Sequence, residues 1–296
     1  MRLSTNLFYS QNETNISEAN SRLYKLQQQL STGQKLQQPS DDPLAATQIM
    51  KFDRVLARTG QFRENIAVSE RRLSYEETTI SSVVTSLQRV QEIGIRGNSD
   101  SLSDNDKQIL ASELEEILDH LTALMNTQDA QGEYMFAGYR GKTQPYVLNT
   151  AGTAYEYQGD SGARFLDIGE NSTIQATDPG SEIFGDSGDN VLNWILDLKN
   201  ALASGTDTSV AAENINRWYE HIVNQQAKLG SRLRVLESQE LNLADLEMFT
   251  ESTRSQFADT DYYEAISRLS LESTALQAAY QSFGKVQQMS LFNYVG

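Results

Sequence analysis

Apolar positions recur at helical intervals over most of this chain, and one stretch of short alternation interrupts them. At the start, the stripe reads Tyr9, Ile16, Ala19, Leu23, Leu26, Leu30. Near the other terminus it reads Ile266, Leu269, Leu276, Tyr280, Phe283. This heptad-like spacing predicts a narrow apolar seam on each of two helices. The remaining faces are polar, with Gln27, Gln28 and Gln29 at one end and Gln277, Gln281, Gln287 and Gln288 at the other. Such helices are marginal alone in water, so each seam needs a partner. The candidate assembly seam is therefore Ile16, Leu23, Leu26 and Leu30 with Ile266, Leu269, Leu276, Tyr280 and Phe283. A subunit that meets its copies or relatives through its ends fits this pattern, with those ends disordered while the chain is free.

Between the seams the punctuation is clear. Ser40-Asp41-Asp42-Pro43 is a helix start, in which Asp42 caps free N–H groups and Pro43 occupies a position where its missing N–H costs nothing. The helix then runs through Phe62, Ile66, Leu73, Ile80, Val83, Leu87 and Val90, and ends at Gly94, Gly97 and Asn98. Ser103-Asp104-Asn105-Asp106 opens the next helix as a capping box, with Leu110, Leu114, Ile117, Leu121 and Leu124 on its apolar face. A calcium loop is the rival reading, but Gln108 and Ile109 stand where an oxygen ligand and a glycine should be.

The texture changes at Gly132. Short alternating runs, Thr153-Ala154-Tyr155-Glu156-Tyr157 and Arg164-Phe165-Leu166-Asp167-Ile168, are separated by glycine-rich turns up to Gly188. They predict strands and hairpins. Helical spacing returns at Val191, Ile195, Leu198 and Leu202. A proline-free segment then runs from about Ser209 to Phe257, its apolar side marked by Ile215, Trp218, Ile222, Leu229, Leu233, Leu236, Leu243, Leu246 and Phe249. As one helix it would be roughly 70 Å long. Asp259-Thr260-Asp261 breaks the pattern, and Asp261 with Glu264 caps the terminal helix.

The fold class predicted is mainly α with a small β insert: a nested, rod-like helical bundle with terminal coiled-coil helices. The expected parts are terminal helices at 1–42 plus 259–296, a helical rod at 43–138 plus 190–258, and an inserted β domain at 139–189. The termini should lie near each other.

Charge narrows the function classes. The net charge is −16 and no Lys/Arg run stands out, which argues against a nucleic-acid partner. No apolar run is long enough to predict a transmembrane helix, and residues 1–6 carry no signal-peptide core; no membrane partner is expected. With no cysteine and two histidines, thiol chemistry is excluded and no cofactor is predicted. His120 and His221 lack a metal-ligand context. The Asp41–Asp42 pair is explained by helix capping, and Trp194 and Trp218 by packing. No enzyme signature appears.

The signature residues carry a resemblance. Leu30-Ser31-Thr32-Gly33-Gln34-Lys35 with Ser40-Asp41-Asp42-Pro43 resembles the N-terminal signature of the bacterial flagellin superfamily. Ala258-Asp259-Thr260-Asp261-Tyr262 and Ser290-Leu291-Phe292-Asn293-Tyr294 resemble its C-terminal signature. Asp41, Asp42, Pro43, Asp259 and Asp261 thus serve as family-motif positions as well as cap candidates. Within the superfamily the chain looks like a hook–filament junction protein rather than a filament flagellin. Asp41-Asp42-Pro43-Leu44-Ala45 replaces the flagellins' usual Asp-Asp-Ala-Ala-Gly. Gly132-Glu133-Tyr134-Met135-Phe136-Ala137-Gly138-Tyr139, followed by Pro145-Tyr146, is similar to the junction proteins' Gly-x-Tyr-x-Phe-x-Gly and Pro-Phe segments, with Tyr146 in place of Phe. The insert is also short.

The resemblance implies a structural adaptor joining hook-associated protein 1, on the proximal side, to filament flagellin on the distal side, by self-association in a ring. It also implies a cytoplasmic export chaperone, secretion through the flagellar type III apparatus without a cleaved signal, and an extracellular place in the flagellum. The alternatives are a small flagellin, or a surface adhesin using the β insert.

Overall fold

A computed structural model describes residues 2–99 and 102–295, with the side chains of 2–6, 8, 9 and 286–295 set aside. The order is α1 (Arg2–Thr32), α2 (Pro43–Gly97), α3 (Asp104–Met125), β1 (Tyr146–Leu148), β2 (Tyr155–Tyr157), β3 (Phe165–Gly169), β4 (Ser172–Gln175), α4 (Gly180–Ile183), α5 (Val191–Ser204), α6 (Ser209–Ala258) and α7 (Tyr262–Val295). It is a mainly helical chain with a small β insert. Two compact units divide it, Thr59–Asp245 and the joined ends Met1–Arg58 with Leu246–Gly296. The helices α2 and α6 contribute residues to both.

In the unit 59–245, α2 and α6 run antiparallel. Arg63 pairs with Glu240 at 2.7 Å near one end, and the Gln91 side chain donates to Asn216 at 2.7 Å near the other. Their facing stripes are heptads. Ile66, Leu73, Ile80 and Leu87 on α2, and Ile215, Ile222, Leu229, Leu236 and Leu243 on α6, are all buried. Every seventh residue falls on one face, which is the coiled-coil seam. Continued one heptad further, the α6 register reaches buried Thr250 rather than Phe249. Leu246 and Phe249 were expected on the buried side of α6; they are instead exposed, at 42% and 68%. On α3 the buried face is Leu110, Leu114, Leu118, Leu121 and Met125. The Ser103 hydroxyl accepts from the Asp106 N–H at 3.2 Å and the Ser103 N–H donates back to the Asp106 carboxylate at 3.3 Å, completing the capping box.

The strands form two antiparallel pairs, β1 with β2 and β3 with β4. Tyr146 stands opposite Tyr157, and Leu148 opposite Tyr155. A two-stranded sheet is weak by itself, and here helix side chains extend it. On the β1 edge, the Asn126 amide accepts from the Tyr146 N–H at 2.9 Å and donates to its carbonyl at 2.8 Å. On the β2 edge, Asn193 does the same for Tyr155, at 2.6 and 3.1 Å. These amides act as one-residue strands, satisfying backbone groups that an open edge would leave unpaired. Asn65 of α2 and Gln239 of α6 donate to the β3 carbonyls of Asp167 and Ile168 at 2.7 and 3.1 Å.

Aromatic packing continues the helical core into this insert. Phe136 meets Phe184 edge-on at 5.1 Å between ring centroids, and Tyr146 meets Phe184 at 6.2 Å. Phe136, Tyr146, Ile168, Ile174 and Phe184 belong to the same buried cluster as the α2, α3 and α6 seams. The glycine-rich motif is therefore structural. Phe136 is its core anchor, and Gly138, at φ +69°, lies where a Cβ would run into the Asp160 backbone oxygen. Tyr146 carries a hydroxyl into this core, and that hydroxyl donates to the Gly185 carbonyl at 2.7 Å. Trp194 and Trp218 pack as the sequence predicted, and both indole N–H groups donate to one Asp189 oxygen, at 2.6 and 3.3 Å.

Candidate assembly surface

The end unit brings the two signature segments together. At the end of α1, Gly33 turns the chain with φ +72°, a conformation suited to glycine. Lys35 then donates its backbone N–H to the Ala258 carbonyl at 2.8 Å, and Thr260 donates to the Gly33 carbonyl at 2.8 Å. Gln34 and Asp259 thereby form an antiparallel bridge. A Cβ on Gly33 would come 3.1 Å from the Tyr262 hydroxyl. The N-terminal motif and the C-terminal motif are thus two sides of one backbone clasp.

The acidic motif residues divide into different tasks. Asp42 caps α2, its carboxylate accepting from the Leu44 and Ala45 N–H groups at 3.1 and 3.0 Å, with Pro43 as first helical residue. Asp261 caps α7, accepting from Glu264 N–H at 3.1 Å. Asp41, expected as a cap, instead holds the preceding loop. Its carboxylate accepts from Lys25 at 2.7 Å and from the Gln37 and Gln38 N–H groups at 3.1 and 3.2 Å. The Lys25 bond, then those two N–H groups, hold its carboxyl below the usual aspartate range. Asp259 also begins no helix; it accepts from the Ser255 hydroxyl at 2.5 Å beside the bridge.

Beyond the clasp, α1 and α7 lie antiparallel. Asn20 donates to the Tyr280 hydroxyl at 3.1 Å, and Arg22 pairs with Glu272 at 3.1 Å. The seams that were expected to need outside partners face each other within one chain. Ala19 and Ala265 are buried, while Ile16, Leu23, Leu26, Leu30, Leu269, Leu276 and Phe283 are half-buried. Ile266 and Tyr280 stay exposed at 57% and 50%. The Tyr9 side chain, and the Gln287, Gln288 and Ser290-to-Tyr294 side chains, lie outside the described set.

This pairing leaves much apolar surface open. Leu44, Met50, Met248, Phe249, Tyr263 and Leu271 are all more than half exposed. A groove of about 730 Å³ between the helices is lined by Ile16, Asn20, Tyr24, Tyr280 and Phe283. Tyr24 and Leu271 lie on faces the sequence marked as polar. Their signal was a large apolar residue next to a charged one, Tyr24 before Lys25 and Leu271 before Glu272, off the seam register. Apolar exposure on this scale is what interaction surfaces present when contiguous. Among the described residues, no acidic, histidine or cysteine group is arranged to hold a metal ion, and no helix is long and apolar enough to cross a membrane.

Known proteins resemble this chain. The bacterial flagellin N-terminal helical region matches residues 3–141, and the bacterial flagellin C-terminal helical region matches residues 212–295. Flagellar hook-associated protein 3 of Salmonella typhimurium is 30% identical over 318 aligned positions, covering 99% of each chain. The Escherichia coli protein of that name is 31% identical over 317 positions, again covering 99% of each. This chain belongs to the flagellar hook-associated protein 3 family. It is a structural protein of the bacterial flagellum. The crystal structure of flagellar hook-associated protein 3 from Legionella pneumophila has the same fold, with a TM-score of 0.64 at 21% identity over 70% of this chain and 98% of that one. The strands, α4 and α5 lie between the two flagellin-type regions, whereas α1, α7 and the clasp lie inside them.

Proposed function

We propose that this chain is the adaptor at the hook–filament junction, binding hook-associated protein 1 on one side and filament flagellin on the other. Copies of the chain close into a ring through the surface formed by α1, α7 and the outer ends of α2 and α6. The observation that carries this reading is the exposed apolar surface on helices that belong to the flagellin-type regions. A helix pair with half-buried seams and a lined groove can accept a neighbour's helix without first unfolding. The residues Ile16, Leu23, Leu26, Leu30, Ile266, Leu269, Leu276, Tyr280 and Phe283 serve two pairings, one within the chain and one in the ring.

The division of labour follows the same lines. Segments 1–42 and 259–296 carry assembly together with the adjoining ends of α2 and α6, the rest of the helices in 43–138 and 190–258 carries stiffness, and 139–189 supplies the outer surface. Export proceeds through the flagellar type III apparatus without a cleaved signal, with a cytoplasmic chaperone covering the apolar ends beforehand. The reading is tested in a strain lacking this chain. Flagellin should escape to the medium as monomer from cells that retain hooks, and the chain supplied in trans should restore filaments. Filaments that form normally without it would overturn the proposal. Long filaments grown from the purified chain alone would favour a flagellin instead.

A further inference from the structure

A buried acid lies in the core of the unit 59–245. Glu76 of α2 is 1% exposed and sits in the apolar register between Leu73 and Ile80. Its carboxyl lies within hydrogen-bonding reach of Asp178, in the segment between β4 and α4. Its Oε1 atom has no hydrogen-bond partner.

Each neighbouring cation already has a carboxylate partner, although the buried Nε–H of Arg72 has none. Asp178 pairs with Arg232 of α6, and its other oxygen accepts from the Gln175 amide at 2.7 Å. Arg232 also donates to the Gln175 carbonyl at 3.0 Å. Arg72 of α2 pairs with Asp129, in the loop after α3, at 3.2 Å, and donates to the Met135 carbonyl at 3.4 Å. Two cations thus meet two carboxylates. An ionised Glu76 would be a third buried carboxylate beside two arginines that each already hold one. Both Asp178 oxygens already accept, so of the two carboxyls the one free to carry a proton is Glu76.

We propose that Glu76 is a proton-held latch: its neutral acid donates to Asp178 and fastens the segment joining β4 to α4 onto α2 and α6, and loss of that proton loosens the fastening. Burial is the main cause that raises the Glu76 carboxyl well above its usual range, and the Asp178 charge adds to it; Arg232 and Arg72 oppose.

The sign follows from linkage. The folded chain holds a proton that the unfolded chain releases near 4.5. The latch is therefore fully stabilising below that value, and its contribution is lost as pH rises from there towards the raised folded value. In that window each pH unit should raise the unfolding constant of the natural chain by about tenfold relative to Glu76→Gln, which keeps a donor but cannot ionise.

Urea unfolding of the full chain and of E76Q from about pH 5 to pH 7 tests this. The ratio of their unfolding constants should rise by at least about tenfold, and the protection of amides in residues 174–184, relative to their intrinsic exchange rates, should fall with pH in the natural chain alone. A ratio that stays flat overturns the latch. Should E76Q fail to fold, carbon NMR of the natural chain decides it. A Glu76 carboxyl resonance still protonated at pH 6 supports the proposal, and one that titrates in the ordinary glutamate range overturns it.

Discussion

Replacing Phe249 by serine separates assembly from folding. Phe249 lies on α6, outside the heptad seam that reaches Thr250, and is 68% exposed. In the free chain, the change touches no core and no hydrogen bond that holds α6, so stability should move by no more than about 0.5 kcal/mol. In the proposed ring the position has more at stake. An aromatic side chain carries roughly 150–250 Å² of buriable surface, so the open fraction of Phe249 corresponds to about 100–170 Å². At roughly 25 cal/mol per Å², its burial against a neighbour is worth about 2.5–4 kcal/mol per copy. That is roughly 60- to 700-fold per contact, repeated at every position of the proposed ring. The assay pairs a thermal melt of the purified variant with counts of filament-bearing flagella in cells that carry it. The melt should be unchanged, the variant should reach the medium, and filaments should be rare. Wild-type filament counts with F249S would refute the assignment of this face. A large drop in the melting temperature would show that Phe249 supports the fold instead.

Three other outcomes follow from the packing. Leu276→Glu should weaken both assembly and the α1–α7 pair, because Leu276 is half-buried within the single chain; amide exchange in α7 should quicken even in the free variant, and unchanged exchange would show that the pair does not rely on it. Tyr146→Phe should cost about 1–2 kcal/mol in chemical denaturation, since the Gly185 carbonyl loses its buried donor; a neutral result would mean that water or the backbone replaces it. Replacing residues 140–188 with a glycine–serine linker should abolish cooperative melting of the remaining chain, because it strips Tyr146, Ile168, Ile174 and Phe184 from the shared core; retention of a sharp transition would show that the helices hold together without them.

The long helices were legible because their signal is repeated. Seven-residue spacing on α2 and α6 survives any single misreading, and Asp42-Pro43, Ser103 with Asp106, and Asp261 mark the starts by local chemistry. What the sequence hid are pairings between distant residues. Nothing near Asn126 or Asn193 says that each serves a strand edge, since the partners are set by tertiary packing. The meeting of Gly33 with Tyr262 has the same origin; the two motifs were visible, but their contact was not. The seams were legible as apolar stripes, but that α1 and α7 lie against each other within one chain was not, because periodicity identifies a face without saying which helix covers it. Glu76 left a signal that went unread: a charged residue spaced three from Leu73 and four from Ile80, inside the apolar register. Phe249 misled for the opposite reason, being apolar at a position one residue off the seam.

The most direct test of the junction account is the position of the chain on a working flagellum. Electron microscopy of intact flagella, with gold label directed at the β insert, should place the label in a narrow band at the boundary between hook and filament. Label distributed along the filament would contradict the account and assign the chain to the filament itself.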